Sequence, residues 1–281
     1  MKKLFIIIVL LGLASAVFAN EPASTPQRIV SLAPSTTELL FALGLGDNIV
    51  GVTSFCDYPE EAKKKPKIGG MSNPSLEAVI SMKPDLVVMT TDGNPKEFEA
   101  RLRSLKIRTY VFTARRLAEL PQGLRDMGVI VGAAEKSDRL AQQMQDGIDR
   151  YIKRKAALRT GPSAMRRKVL FIVWPEPLIV AGPGTVMDDA IGLLGYENIA
   201  AAAKTSYPKY SIEEAIRQAP DVIFVGKASG MDIREVSQKI LNRLASVPAV
   251  RTGSIYYISD NLYRLGPRVI KGIEELTACE Q

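Results

Sequence analysis

An internal repeat restricts the fold more than any other feature of this chain. Ser75-Leu76-Glu77, Ile80 and Pro84-Asp85-Leu86-Val87-Val88 recur 136 residues later as Ser211-Ile212-Glu213, Ile216 and Pro220-Asp221-Val222-Ile223-Phe224. Upstream of each block, Ile29-Val30, Glu38 and Asn48-Ile49 recur 150 residues later as Ile179-Val180, Asp188 and Asn198-Ile199, in the same order. Each block reads as a helix, a proline-bounded turn and an apolar strand. Chains that alternate such units build parallel sheets covered by helices, and this one does so twice. The expectation is an α/β protein with two Rossmann-like lobes.

Patterning predicts strands over 28–32, 49–52, 85–90 and 109–112 in the first half, and over 168–173, 179–181, 221–225 and 255–258 in the second. Helices are expected over 35–43, 75–82 and 95–105, then 186–194, 212–218, 232–244 and 268–278. Ser35 with Glu38 three residues on has the form of a capping box just after Pro34. Between the halves, Leu140, Met144, Ile148, Tyr151 and Ile152 recur at helical spacing with no proline, until Thr160-Gly161-Pro162 ends the run. A helix from Glu135 to Arg159 would be about 36 Å long and would brace both lobes. The expected organisation is a signal segment 1–19, a lobe 20–134, the bridging helix 135–160 and a lobe 161–281. Parallel sheets of this kind take ligands beyond the carboxyl ends of their strands, so two facing lobes define a cleft.

Lys2 and Lys3, the apolar run 4–13 and small residues up to Ala19 form the pattern of a secretory signal, too short to span a bilayer. No cysteine follows the cleavage site to take a lipid. The chain is therefore expected outside the cytoplasm, in the periplasm. The only cysteines, Cys56 and Cys279, would be allowed to pair there, and the sequence leaves that pairing open. The formal charge of +7 is spread along the chain, and its densest run, 63–67, is broken by Pro66 and lacks interleaved aromatics. That argues against nucleic acid as a partner. The sequence contains no histidine, which removes Ser-His-Asp and Cys-His nucleophiles, histidine-rich zinc sites and the usual general base. Neither GxxxxGK[ST] nor GxGxxG occurs, and Gly182-Pro183-Gly184 reads as a tight turn. No catalytic group and no metal site is expected, which points to a binding protein; an exported sensor or enzyme on the same lobes is the competing class.

Arg28-Ile29-Val30-Ser31-Leu32-Ala33-Pro34-Ser35, Gly51-Val52-Thr53, Asp57-Tyr58-Pro59, Lys83-Pro84-Asp85-Leu86-Val87 and Gly266-Pro267-Arg268 resemble the periplasmic substrate-binding proteins of ABC importers for cobalamin and iron(III) siderophores, most of all its cobalamin-binding branch. The resemblance covers essentially the whole chain after the signal segment. It implies class III periplasmic binding protein architecture, two lobes on one long helix, acting as a monomer. It implies capture of cobalamin or a related corrinoid, with a ferric siderophore or haem as the alternative, the ligand being transported cargo and not a resident cofactor. The ligand-binding positions it marks are Pro34, Ser35, Tyr58, Trp174, Tyr207, Asp260 and Arg264, with Arg268 also available to an anionic chelate. Trp174 falls one place beyond an aromatic position of that branch, which is Val173 here. Thr90 and the surroundings of Gly70 lack tryptophans that the branch carries. Glu77 and Glu213, in matching places of the two repeats, are implied to dock onto arginines of a permease dimer that works with a cytoplasmic ATPase.

Overall fold

The structure is a computed structural model describing residues 25–158, 167–227 and 233–279. The signal segment expected over 1–19 and the stop at Thr160-Gly161-Pro162 lie outside the described residues. The first lobe runs β1 (Ile29–Ser31), α1 (Pro34–Ala42), β2 (Ile49–Val52), α2 (Glu60–Lys63), α3 (Leu76–Ser81), β3 (Leu86–Thr90), α4 (Lys96–Ser104), β4 (Thr109–Phe112) and α5 (Leu120–Ile130). The long helix α6 spans Ala134–Leu158. The second lobe runs β5 (Lys168–Trp174), β6 (Ile179–Val180), α7 (Val186–Leu193), β7 (Glu197–Asn198), α8 (Ile212–Gln218), β8 (Val222–Gly226), α9 (Ile233–Arg243), α10 (Pro248–Arg251), β9 (Ile255–Ile258) and α11 (Val269–Ala278).

The first sheet has the order β2-β1-β3-β4, all parallel. In the second, β5, β8 and β9 are parallel neighbours, β7 pairs parallel with β5, and β6 adds an antiparallel edge. The central strands β3 and β8 are buried at every residue, as apolar runs covered on both faces should be. The repeat is visible in backbone detail. Lys83 and Ala219, 136 residues apart, both take left-handed φ (47° and 50°) just before a proline. Asp85 accepts from the backbone N–H groups of Gln27 (2.7 Å) and Arg28 (3.1 Å), and Asp221 accepts from that of Lys168 (2.8 Å).

That last correspondence corrects one sequence match. The aspartate that precedes β3 holds the start of β1, and the aspartate that precedes β8 holds the start of β5, so the counterpart of β1 is β5. Ile179-Val180 forms the antiparallel β6 instead, and the likeness of Ile29-Val30 to it is not topological. The upstream partner Asn198, by contrast, lies on β7, which pairs with β5 as β2 pairs with β1.

One apolar cluster passes through both lobes. It joins Ile29, Leu39 and Val88 of the first lobe to Val169, Phe171 and Phe224 of the second, with Met144 and Ile148 of α6 among them. Separate clusters fill the opposite faces of the two sheets. Helix α6 packs on α5 in the first lobe and on α7 and α11 in the second. The approach of α5 depends on Gly128, since a Cβ there would stand 1.7 Å from Ser137 Oγ on α6. Helix α5 was not expected from the sequence, because Pro121, Gly123 and Gly128 weaken its pattern. Pro121 sits in the first turn, where its missing N–H costs nothing. Cys56 and Cys279 are not joined; the buried Cys56 thiol lies 3.2 Å from Thr37 Oγ1 and 3.1 Å from Thr53 Oγ1.

Candidate functional site

The carboxyl ends of the first sheet form a row. Following its strand order, the row carries Tyr58 after β2, Pro34 and Ser35 after β1, Asp92 after β3 and Arg115 after β4. Three interstrand spacings make it about 14 Å wide. The second sheet contributes Asp260, Arg264 and Arg268 after β9, Lys227 after β8 and Trp174 at the end of β5. Tyr207 lies beside the β6 edge, in a segment bonded there by Gly182 N–H to Ser206 O (2.8 Å) and Val180 N–H to Pro208 O (3.2 Å). The rows meet at both ends: the segment after β9 touches Glu38, Asp57 and Tyr58, while Asp92 and Arg115 lie close enough to Tyr207 to act on its phenol.

At the first end the expected capping box is absent. The N-cap of α1 is Ala33, with Pro34 at the first helical position, and no side chain caps it. Ser35 therefore sits inside the helix, and Glu38 turns away from the backbone. Buried to 2% exposure, Glu38 accepts from Arg268 through Nε (2.9 Å) and Nη2 (2.7 Å) and from Arg264 Nη1 (3.1 Å). Arg264 also pairs with Asp57 and with Asp260 (2.8 Å), and Arg268 reaches Asp260 at 3.3 Å and Asn261 Oδ1 at 2.6 Å. Burial opposes both positive charges, but the surrounding carboxylates outweigh it and hold both guanidiniums above their ordinary range. Arg264, marked as a ligand position, thus has its charge engaged across the lobe boundary, while Asp260, the other marked position, is engaged by Arg264 and Arg268 within its own lobe. The Arg268 guanidinium lies over the Tyr58 ring, 4.2 Å from its centroid, and Tyr58 remains 47% exposed.

The other end is more open. Asp92 and Arg115 pair with one another, each about half exposed. Tyr207, 45% exposed, has its phenol pushed up to about 12, by desolvation first and by Asp92 second. Trp174 is half-buried, its indole N–H donating to Glu176 O at 2.9 Å. Phe55, 61% exposed in the same loop as Tyr58, was not expected in the site. A Cβ on Gly70 would lie 3.7 Å from its ring, so Phe55 supplies an aromatic surface where the sequence near Gly70 has none. Thr90 carries no ring, and its backbone N–H is instead closed off by Asn94 Oδ1 (2.8 Å).

Glu77 and Glu213 are exposed in the first turns of α3 and α8, behind matching N-caps: Ser75 Oγ accepts from Ala78 N–H (3.1 Å) and Ser211 Oγ from Glu214 N–H (3.0 Å). Neither makes an ion pair among the described residues, whereas the adjacent Glu214 is held by Arg217. Glu213 also borders a surface groove of about 520 Å³ whose walls include Pro177, Ile212, Lys239 and Arg243. Among the described residues no group of three or more acidic or cysteine side chains gathers to hold a metal ion.

Two lobes built on largely parallel sheets and joined by one spanning helix, with strand ends that meet across the lobe boundary, define the class of bilobal binding proteins that capture solutes outside the cytoplasm. The chain belongs to the family described as periplasmic binding protein, whose sequence profile matches residues 29–262. It is 29% identical to a vitamin B12-binding protein of Pectobacterium atrosepticum, over 91% of this chain and 88% of that one. It is 33% identical to an ABC transporter substrate-binding lipoprotein of Bacillus subtilis, over 89% and 79% of the two chains. The haem-binding protein RhuT from Roseiflexus, solved without ligand, superposes with a TM-score of 0.79 at 31% identity, covering 90% of this chain and 97% of that one. The family is one of binding proteins, and the Bacillus subtilis relative is named as the substrate-binding part of an ABC transporter.

Proposed function

We propose that this chain is an exported, periplasmic substrate-binding protein that captures cobalamin or a related corrinoid between its lobes and delivers it to the permease dimer of an ABC importer. The observation that supports this reading is that the carboxyl strand ends of the two sheets meet at both ends of a row about 14 Å wide, with the exposed rings of Phe55, Tyr58 and Tyr207 in the segments beside them; on this reading Pro34, Ser35 and Trp174 lie between. Exposed rings bury large area at low entropic cost, which suits a broad, partly apolar macrocycle. Asp260 and Arg264 serve as the polar floor at the Tyr58 end. Glu77 and Glu213, exposed and without an ion pair among the described residues, serve as the docking charges, one per lobe.

A second reading, haem, is favoured by the likeness to RhuT. In a chain without histidine, a tyrosine would have to supply the axial oxygen, and Tyr58 and Tyr207 are the exposed candidates. Calorimetric titration of the purified chain with cyanocobalamin, haem and a ferric siderophore decides between them. Heat of binding with cyanocobalamin alone is the expected result; binding of haem with no response to cyanocobalamin would overturn the corrinoid reading while keeping the family role. Reversing both charges, Glu77→Arg with Glu213→Arg, should abolish stimulation of the importer's ATPase while the titration curve stays in place.

A further inference from the structure

We propose that Glu38, too deeply buried to meet a ligand, is a positioning residue of the cleft: it fixes the Arg268 guanidinium, and through it the Tyr58 ring, in one orientation. The inference rests on the proposed cleft for its consequence, but not for its geometry.

Glu38 grips Arg268 by two bonds, Nε to Oε2 at 2.9 Å and Nη2 to Oε1 at 2.7 Å, a fork that sets the plane of the guanidinium as well as its position. The other edge of that plane is held too. Arg268 Nη1 donates to Asn261 Oδ1 at 2.6 Å, and the Asn261 amide donates to Glu275 Oε1 at 2.7 Å. A guanidinium held on two edges offers a fixed face, and that face lies 4.2 Å from the centre of the Tyr58 ring.

An exposed tyrosine on a loop normally samples several rotamers, and ordering it on binding costs affinity. Tyr58 is nearly half exposed, yet one side of its ring already rests on a cation, so the other is presented for stacking. Filling space would not require this arrangement, because an apolar side chain at position 38 would do that without burying a charge. Orientation does require it. Because α1 starts at Pro34, between the two ends of the row, Glu38 also ties the floor of the cleft to its Tyr58 wall.

The test uses the unliganded full chain with 3-fluorotyrosine at position 58 and fluorine NMR. The unsubstituted background should give one narrow resonance displaced from that of exposed fluorotyrosine. Glu38→Gln and Arg268→Met should each move it to the exposed value, at a temperature where circular dichroism reports a folded chain. An unmoved resonance in either folded variant overturns the proposal. Should Glu38→Gln fail to fold, the same spectra of Arg268→Met and of Arg268→Lys, which keeps the charge but not the fork, decide the question. A second readout is affinity for whichever of cyanocobalamin and haem binds the unsubstituted chain, expected to weaken about three- to tenfold in Glu38→Gln; an unchanged Kd overturns the positioning role. If neither compound binds, the proposed ligand class fails, and the fluorine spectra still test Glu38.

Discussion

Arg116, in the segment after β4 of the first lobe, reaches Asp189 on α7 of the second; Arg264 and Arg268, in the segment after β9 of the second, reach Glu38 on α1 of the first. Strands β4 and β9 occupy the same place in their sheets, and α1 and α7 are the first helices of their lobes, so the duplicated halves hold one another by reciprocal contacts. Their surroundings differ. Glu38 is buried and shared by two arginines with Asp57 and Asp260 close by. Asp189 serves one arginine whose side chain is 53% exposed, and also takes the Leu117 N–H at 2.9 Å. Desolvated, multiply bonded charge resists separation, whereas an exposed pair is screened and exchanges with water. The Glu38 contact is therefore the fixed one, and the side held by Arg116 alone is the more easily separated.

The largest expected effect comes from breaking the deep contact. Glu38→Ala leaves two buried guanidiniums with a partner missing and should cost about 3–5 kcal/mol of stability, read as a lowered urea midpoint. Asp189→Ala removes the acceptor for one exposed arginine and one backbone N–H, and should cost about 1–2 kcal/mol. Arg116→Ala, which keeps Asp189 on the Leu117 N–H, should cost no more than about 1 kcal/mol and should lose most of its effect in high salt. Equal penalties for Glu38→Ala and Asp189→Ala would show the two contacts to be equivalent and would remove the distinction between a fixed side and a free one.

What the sequence disclosed follows the same division between local and distant causes. Strands 49–52 and 255–258 and helix 212–218 match residue for residue, because glycine, proline and serine punctuate them within a few positions, and strand 109–112 does so on its β-branched and aromatic run alone. Helix α5 escaped notice because its stability comes from packing on α6, while its own composition argues against it. The pattern Ser35-x-x-Glu38 is a valid capping signal, but no local rule reveals that the carboxylate would answer an arginine 230 positions away instead. Phe55 lacks periodicity altogether; only the approach of its loop to Gly70 places it beside Tyr58 in the wall of the candidate site. The repeat, finally, disclosed two sheets but mistook the added β6 edge for the counterpart of β1, since Ile-Val pairs recur in any apolar strand.

The smallest effect, and the one that sharpens the comparison most, concerns how each arginine-bearing segment is held to its own lobe. After β4, Glu119 Oε2 accepts from the backbone N–H groups of Arg115 (2.9 Å) and Arg116 (3.3 Å). After β9, Glu275 accepts from Ser259 N–H (3.0 Å), Ser259 Oγ (2.6 Å) and Asn261 Nδ2 (2.7 Å), and Asn261 is the residue that braces Arg268. Burial alone would raise the Glu275 carboxyl, but these three hydrogen bonds outweigh it and hold the group below the ordinary carboxylate range. A carboxyl whose folded-state value is depressed contributes stability that is fully present above its unfolded value, near 4.3, and is lost as the pH falls through the folded one. Acidification from pH 6 to pH 3 should therefore loosen the segment after β9, lowering the protection of the Ser259 amide relative to its intrinsic exchange rate at each pH. Glu275→Gln, which cannot titrate, should already exchange faster at pH 6 and should flatten the acid limb of the urea midpoint. If the variant reproduces the acid limb of the unsubstituted chain, the acid sensitivity of the fixed contact lies elsewhere, and Glu275 is an anchor without a part in it.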